Sequence, residues 1–202
     1  MSNSRRLGFS ILELAVAMGL LLFLLGSLYL LLVAGFRYLQ QAQALQTAHQ
    51  NSLMGLRKVS QELAASNSAT ITIGTAPDFV AMLSPQSLIT QADYTRYTYS
   101  GTNLEWKKWV CFYHQPAPAE VLMRAELELP APAVLPPTPA PPALGDFQTA
   151  PAQAPAALHV TAFSVVPGST PETFRVSLTV TKPLNSEKVT SLSAQSEVKV
   201  QN

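Results

Sequence analysis

The sequence predicts an α+β chain: one long N-terminal helix, residues 9–66, packed on an antiparallel β-sheet domain, residues 67–202. Three observations carry this. Leu14 to Phe36 is a run of 23 residues without a charge. Helical spacing then continues, free of proline, to about Ala65. Beyond that point the period changes to the alternation of strands.

As a helix, Leu14 to Phe36 spans roughly 34 Å at ~1.5 Å per residue, enough to cross a ~30 Å hydrocarbon core. The transmembrane part is therefore placed at about 14–36. Glu13 lies one step inside the apolar zone. A carboxylate costs about 2.5–3.5 kcal/mol at the centre of a membrane helix, and less at the N-terminus, where the macrodipole favours it. Arg5 and Arg6 precede the run and only Arg37 follows closely, which puts the N-terminus in the cytoplasm and the bulk of the chain outside. Two plainer readings stand beside this one. A cleaved signal peptide would use the small residues near Val33-Ala34-Gly35, but its apolar region would normally be ~7–15 residues and hold no acid. A plain signal anchor would leave Glu13 incidental.

Arg5-Arg6-Leu7-Gly8-Phe9-Ser10-Ile11-Leu12-Glu13-Leu14 resembles the start of type IV pilin-like proteins. These have a short basic leader ending in Gly, then Phe, then Glu as the fifth mature residue. The resemblance implies a prepilin leader at 1–8, cleavage between Gly8 and Phe9 by a prepilin peptidase, and N-methylation of Phe9. It also implies that the apolar segment stays on the mature protein. Once Arg5 and Arg6 are removed nothing basic lies near Glu13, so its implied role is an assembly contact with the Phe9 amine of a neighbouring subunit. The fold implied is the type IV pilin-like fold. The partners implied are the peptidase, other pilin-like subunits (major and minor) and lipid of the bacterial inner membrane.

Taken in order, residues 37–65 place Leu45, Leu53, Leu56, Val59 and Leu63, with Ala42 and Ala48, near one stripe, and glutamines and basic residues largely elsewhere. That pattern predicts an amphipathic helix with one side on a sheet. Gly55 weakens it by ~1 kcal/mol relative to Ala without ending it, and Asn67-Ser68 closes it. Thr70–Ile73 and Phe79–Leu83 read as strands around a turn at Gly74–Pro77. Tyr94, Arg96, Tyr97 and Tyr99 approach the Ser100-Gly101-Thr102-Asn103 turn, and Leu104-Glu105-Trp106 leaves it, a hairpin signal. Trp109–His114 extends or restarts a strand. Val121–Leu129 alternates apolar residues against Leu122, Arg124, Glu126 and Glu128, which predicts a half-exposed strand.

Residues 130–156 form a Pro/Ala-rich insertion. Pro130 to Pro155 holds nine of the sixteen prolines, so neither ladder nor helix is expected, only an extended or disordered surface loop. Leu158–Val165, a Pro167-Gly168 turn and Thr173–Thr181 follow as strands, with a last strand near Glu197–Gln201. The stretch Leu158–Val180 resembles, by pattern only, the larger minor members of the superfamily: the W-type minor pilin and the J-type minor pseudopilin of type II secretion. Major pilins usually carry a helix-kinking proline where Leu30 stands, and a C-terminal cysteine pair. Their absence points to a minor subunit.

Charged residues make up 12% of the chain and the net charge is +1, so no global field points to nucleic acid or an acidic partner. The single Cys111 cannot form an intrachain disulfide. His49, His114 and His159 are scattered without metal-ligand spacing, Asp78, Asp93 and Asp146 are isolated turn residues, and no phosphate loop or nucleophile elbow is present. No enzyme activity and no cofactor is expected. Trp106-Lys107-Lys108-Trp109 is a candidate ligand surface, since aromatics interleaved with lysines can stack bases and hold phosphates. Core packing is the competing reading of the same residues. Two functions follow. One is a structural subunit of a type IV pilus or type II pseudopilus, at the tip or in initiation. The other is a pilus-displayed binding module that contacts DNA or a surface ligand.

Overall fold

The computed structural model describes residues 10–75, 78–85, 99–135, 138–170, 172–183 and 189–200. Arg5, Arg6, Gly8, Phe9, Asp93, Tyr94, Arg96, Tyr97 and Gln201 lie outside them. The chain is mixed α+β, with one long N-terminal helix, α1 (Ile11–Ala65), and antiparallel sheets. It divides into two compact units, Met1–Gln43 and Ala44–Asn202.

In the first unit the helix is apolar and exposed. Ile11, Leu20, Phe23, Leu30 and Phe36 are each at least 60% accessible, and among the described residues this is the one helix long and apolar enough to cross a membrane. An exposed run of that length needs a non-aqueous environment, because leaving so many leucines in water forfeits roughly 25 cal/mol per Å².

In the second unit α1 buries Ala44, Ala48, Ser52, Gly55, Leu56, Val59, Glu62 and Leu63. This face is rotated from the expected stripe. Leu45 and Leu53 are about half exposed and Ala42 is exposed. The reason is backbone approach. A Cβ on Gly55 would stand 2.8 Å from Leu178 Cδ2 and 2.9 Å from Ala157 Cβ, so small residues, not leucines, face the sheet along much of the contact. Gly55 is therefore a packing requirement as well as a weak helix former.

A 3₁₀ turn at Ser68–Thr70, capped by Asn67 Oδ1 accepting from Ala69 N, ends the helical part. That cap displaces the first strand by two residues, to β1 (Thr72–Thr75), so Gly74 is a ladder residue and not a turn. Then come β2 (Asp78–Ser84), the short pair β3 (Tyr99–Ser100) and β4 (Asn103–Leu104), β5 (Trp106–Gln115) and β6 (Val121–Ala133). Gly101, at φ +64, sits at the first of the two positions between β3 and β4, where a tight hairpin turn wants glycine. A short helix α2 (Leu144–Gln148) precedes β7 (Ala152–Leu158), β8 (Val160–Pro167), β9 (Thr173–Pro183) and β10 (Val189–Lys199).

One sheet has the order β1-β2-β5-β6-β7 and another β10-β9-β8. Three expectations are corrected here. First, the Pro/Ala-rich region supplies strand and helix. Pro155 pairs with Met123 on edge strand β7, where a missing N–H is tolerated. Pro130 and Pro132 fall where the β5–β6 register jumps from Lys108↔Glu128 to Trp106↔Ala133. Second, Leu158–Val165 is two strands. His159 adopts φ +59 and turns the chain from β7 into β8, joining the two sheets. Third, the last strand begins at Val189. Its inward row, Thr190, Leu192, Ala194, Ser196 and Val198, is too polar to read as a core row.

Two apolar clusters result. One gathers the α1 face, including Val59 and Leu63, with Val80, Phe112, Leu122, Phe163, Val176 and Leu178. The other lies on the opposite face of the five-stranded sheet, around Leu83, Trp109, Cys111, Tyr113 and Phe147. Gly55→Ala tests the close approach. Overpacking costs about 1–3 kcal/mol against ~1 kcal/mol gained in helix propensity. We expect a net loss of up to about 2 kcal/mol in denaturant unfolding of the detergent-solubilised chain; a gain would mean that Ala157 yields.

Candidate functional site

At the start of α1 the structure places Glu13 against Ser10. The Ser10 N–H donates to Glu13 Oε2 at 3.0 Å, and Ser10 Oγ accepts from the Leu12 N–H at 3.2 Å. Ser10 is thus an N-cap with an acid at the third helical position, a near-complete capping box. The signal, Ser-x-x-Glu before an apolar run, is readable in the sequence. It gives Glu13 a partner within its own chain. Gly8 and Phe9 lie outside the described residues.

The Trp106–Trp109 run packs inward. Trp106 and Trp109 are 6% and 1% exposed, in the cluster with Cys111, Tyr113 and Phe147. Lys108 is 3% exposed and donates to Glu126 Oε1 at 3.0 Å. Of the four, Lys107 keeps partial exposure. Alternate residues of β5 explain this: Trp109 points to one face of the sheet, Lys108 and Val110 to the other.

On the face toward α1 lies a charge chain that the sequence reading missed. Arg124 Nη2 meets Glu62 Oε1 at 2.5 Å, Arg124 Nη1 pairs with Glu126 Oε1, and Lys108 pairs with the same oxygen. Ser84 Oγ lies 3.2 Å from Glu62 Oε2. Strand β6 is therefore covered on both faces from Leu122 to Glu126, where a half-exposed strand was expected, and has an exposed residue at Glu128 as expected; Arg124 and Glu126 are admitted because two cations and two carboxylates neutralise each other. Burial works against the Arg124 charge, yet Glu62 and Glu126 outweigh it and hold its pKa above the usual value. Glu126 Oε2 is buried without a partner among the described residues. The available signal was Glu62, the one acid of α1 beyond Glu13.

Of the histidines, His114 Nε2 lies 2.9 Å from Val160 O, His159 makes the strand corner, and His49 is exposed. Among the described residues no group of three or more His, Cys, Asp and Glu side chains is placed to hold a metal. A cavity of about 340 Å³ past the end of α1 is lined by Ser66, Asn67, Asn103, Leu104 and Trp106, none of them acid, base or thiol.

The charge chain makes a quantitative test. Arg124→Ala leaves Glu62 buried without a cation and should cost about 3–5 kcal/mol in denaturant unfolding; Glu62→Ala leaves Arg124 paired with Glu126 and should cost less, while replacing all four by apolar residues of similar shape should be near neutral. Comparisons of the chain with family models, with curated proteins and with solved structures find no match.

Proposed function

We propose that the chain is a minor pilin-like subunit of a type IV pilus or type II secretion pseudopilus, stored in the membrane and incorporated at the tip or in the initiating complex. The observation that carries this reading is α1 itself: one unbroken helix, exposed and apolar from Ile11 to Phe36, then buried on a sheet through Ala44 to Leu63. A plain anchor needs only the first of those halves. A subunit that exchanges lipid for neighbouring helices needs both, since the surface that dissolves in the bilayer can become subunit-facing in a fibre.

On this reading a prepilin peptidase cuts between Gly8 and Phe9, and Phe9 is N-methylated. The N-terminus faces the cytoplasm, with Arg5 and Arg6 on that side, and the strand-rich unit lies beyond the membrane. Glu13 is served by the Ser10 N–H while the subunit is stored, and by the Phe9 amine of another subunit on assembly.

Mass spectrometry of the natural product should find a chain starting at methylated Phe9, and Gly8→Ala should leave the leader uncut. Glu13→Ala should insert but fail to enter fibres. Glu13→Gln separates pairing from capping, because it keeps an acceptor for the Ser10 N–H and loses the charge. Pairing requires that Gln also fails; normal incorporation of Gln would leave capping as the whole role of Glu13.

A further inference from the structure

Residues 138–151 run between β6 and β7 across the second face of the five-stranded sheet. We propose that this strap is a hinged cover that opens as a unit while the rest of the fold stays intact, uncovering the row Trp109, Cys111 and Tyr113.

Its attachment is sparse. The backbone bonds of its ordered turn are internal: Asp146 N donates to Ala143 O at 3.0 Å, Thr149 N to Gly145 O at 3.2 Å and Ala150 N to Phe147 O at 3.3 Å. The Ala143 N–H is held by Asp146 Oδ2 at 3.0 Å. The turn therefore keeps these bonds when it moves away, and lifting it breaks none of them. Among the described residues, what fastens it to the sheet is Phe147 with its neighbours Ala150 and Leu144, and the Gln153 amide. Phe147 is fully buried beside Trp109, Cys111 and Tyr113, with Ala150 beneath it and Leu144 half-buried at the margin. Gln153 in β7 accepts from Tyr113 Oη at 2.9 Å and donates from Nε2 to Gln148 O and Ala150 O, both at 2.8 Å.

Two further features favour swinging over melting. Pro139, Pro141, Pro142 and Pro151 fix φ along the arm, so release gains little chain entropy and the arm stays extended. The closed state also carries a cost that opening relieves. Trp109 Nε1 is buried with no hydrogen-bond partner among the described residues, a cost that water entering beneath a lifted strap would relieve. The hinges fall where pairing stops, after Ala133 of β6 and before Ala152 of β7. The closed cover also accounts for the neighbouring groups: burial pushes the Cys111 thiol up to about 12, and burial together with Cys111 raises Tyr113.

Cys111 is the sole cysteine, so thiol labelling of the full chain in detergent micelles reports the opening directly. Labelling with a small thiol reagent should be nearly independent of low denaturant, while exchange of the Val176 and Leu178 amides in β9 should depend on it steeply. Phe147→Ala should speed labelling by about 10²-fold or more, and Gln153→Ala by about tenfold, with labelling still nearly independent of low denaturant in both. Labelling that depends on denaturant as steeply as β9 exchange, in the unmodified chain or in Gln153→Ala, would mean that Cys111 is reached only by global unfolding and would overturn the proposal.

Discussion

Helix α1 has to satisfy its backbone internally along its whole length, because its first unit presents apolar side chains to the surroundings and its second is wedged against a sheet. A bilayer offers no hydrogen bonds, and only a closed helix meets that condition without partners. The two ends are then the weak points. At the N-terminus Ser10 and Glu13 take up orphan amides, and at the C-terminus Ser66 Oγ and Ser66 N both reach Leu63 O. Its residue choice shifts from bulk, where its side chains are exposed, to smallness, where it packs on protein.

The sheet unit shows how tightly that shift is enforced. Where α1 approaches the strands, bulk is set by Gly55, Ala48 and Ala44, and the larger Val59 and Leu63 enter toward the C-terminal end. Glu62 is the exception, a carboxylate taken into the interface because Arg124 is there to receive it. Glu126 serves two cations through a single oxygen and leaves its other oxygen unbonded. Such a chain is a poor source of net stability, since each charge first gives up its hydration. A helix placed differently on the sheet would take Glu62 away from Arg124 and leave a buried carboxylate without its cation.

Much of the fold was legible. The apolar run, the helix continuing to Ala65, the Gly101 turn and the β8–β9 pair around Pro167-Gly168 all follow from local pattern. What was not legible had non-local causes. Pro155 reads as a strand breaker until β7 is known to be an edge. Ser and Thr on the inward row of β10 hide a strand whose identity comes from pairing with β9 residue by residue. Lys108, Arg124 and Glu126 look solvated until their partners are found on three separate elements. At the candidate site, the Ser10–Glu13 cap was not among the expectations although its Ser-x-x-Glu pattern is local, whereas the fate of Trp106 and Trp109 depended on Phe147, about forty positions away.

His159 has a consequence for how this chain can change in length. One residue in the left-handed region carries the backbone from one sheet into the next, with Thr181 N bonded to its carbonyl at 2.7 Å and Val160 N bonded to Glu120 O at 2.7 Å. There is no slack on either side. Inserting a single residue there would invert the facing of β8 and send Phe163 and Val165 outward, whereas the segment between β6 and β7 sits outside the ladders and can absorb insertions or deletions. Size variation among sequences built on this plan should therefore collect in the proline-rich arm and stop short of the corner.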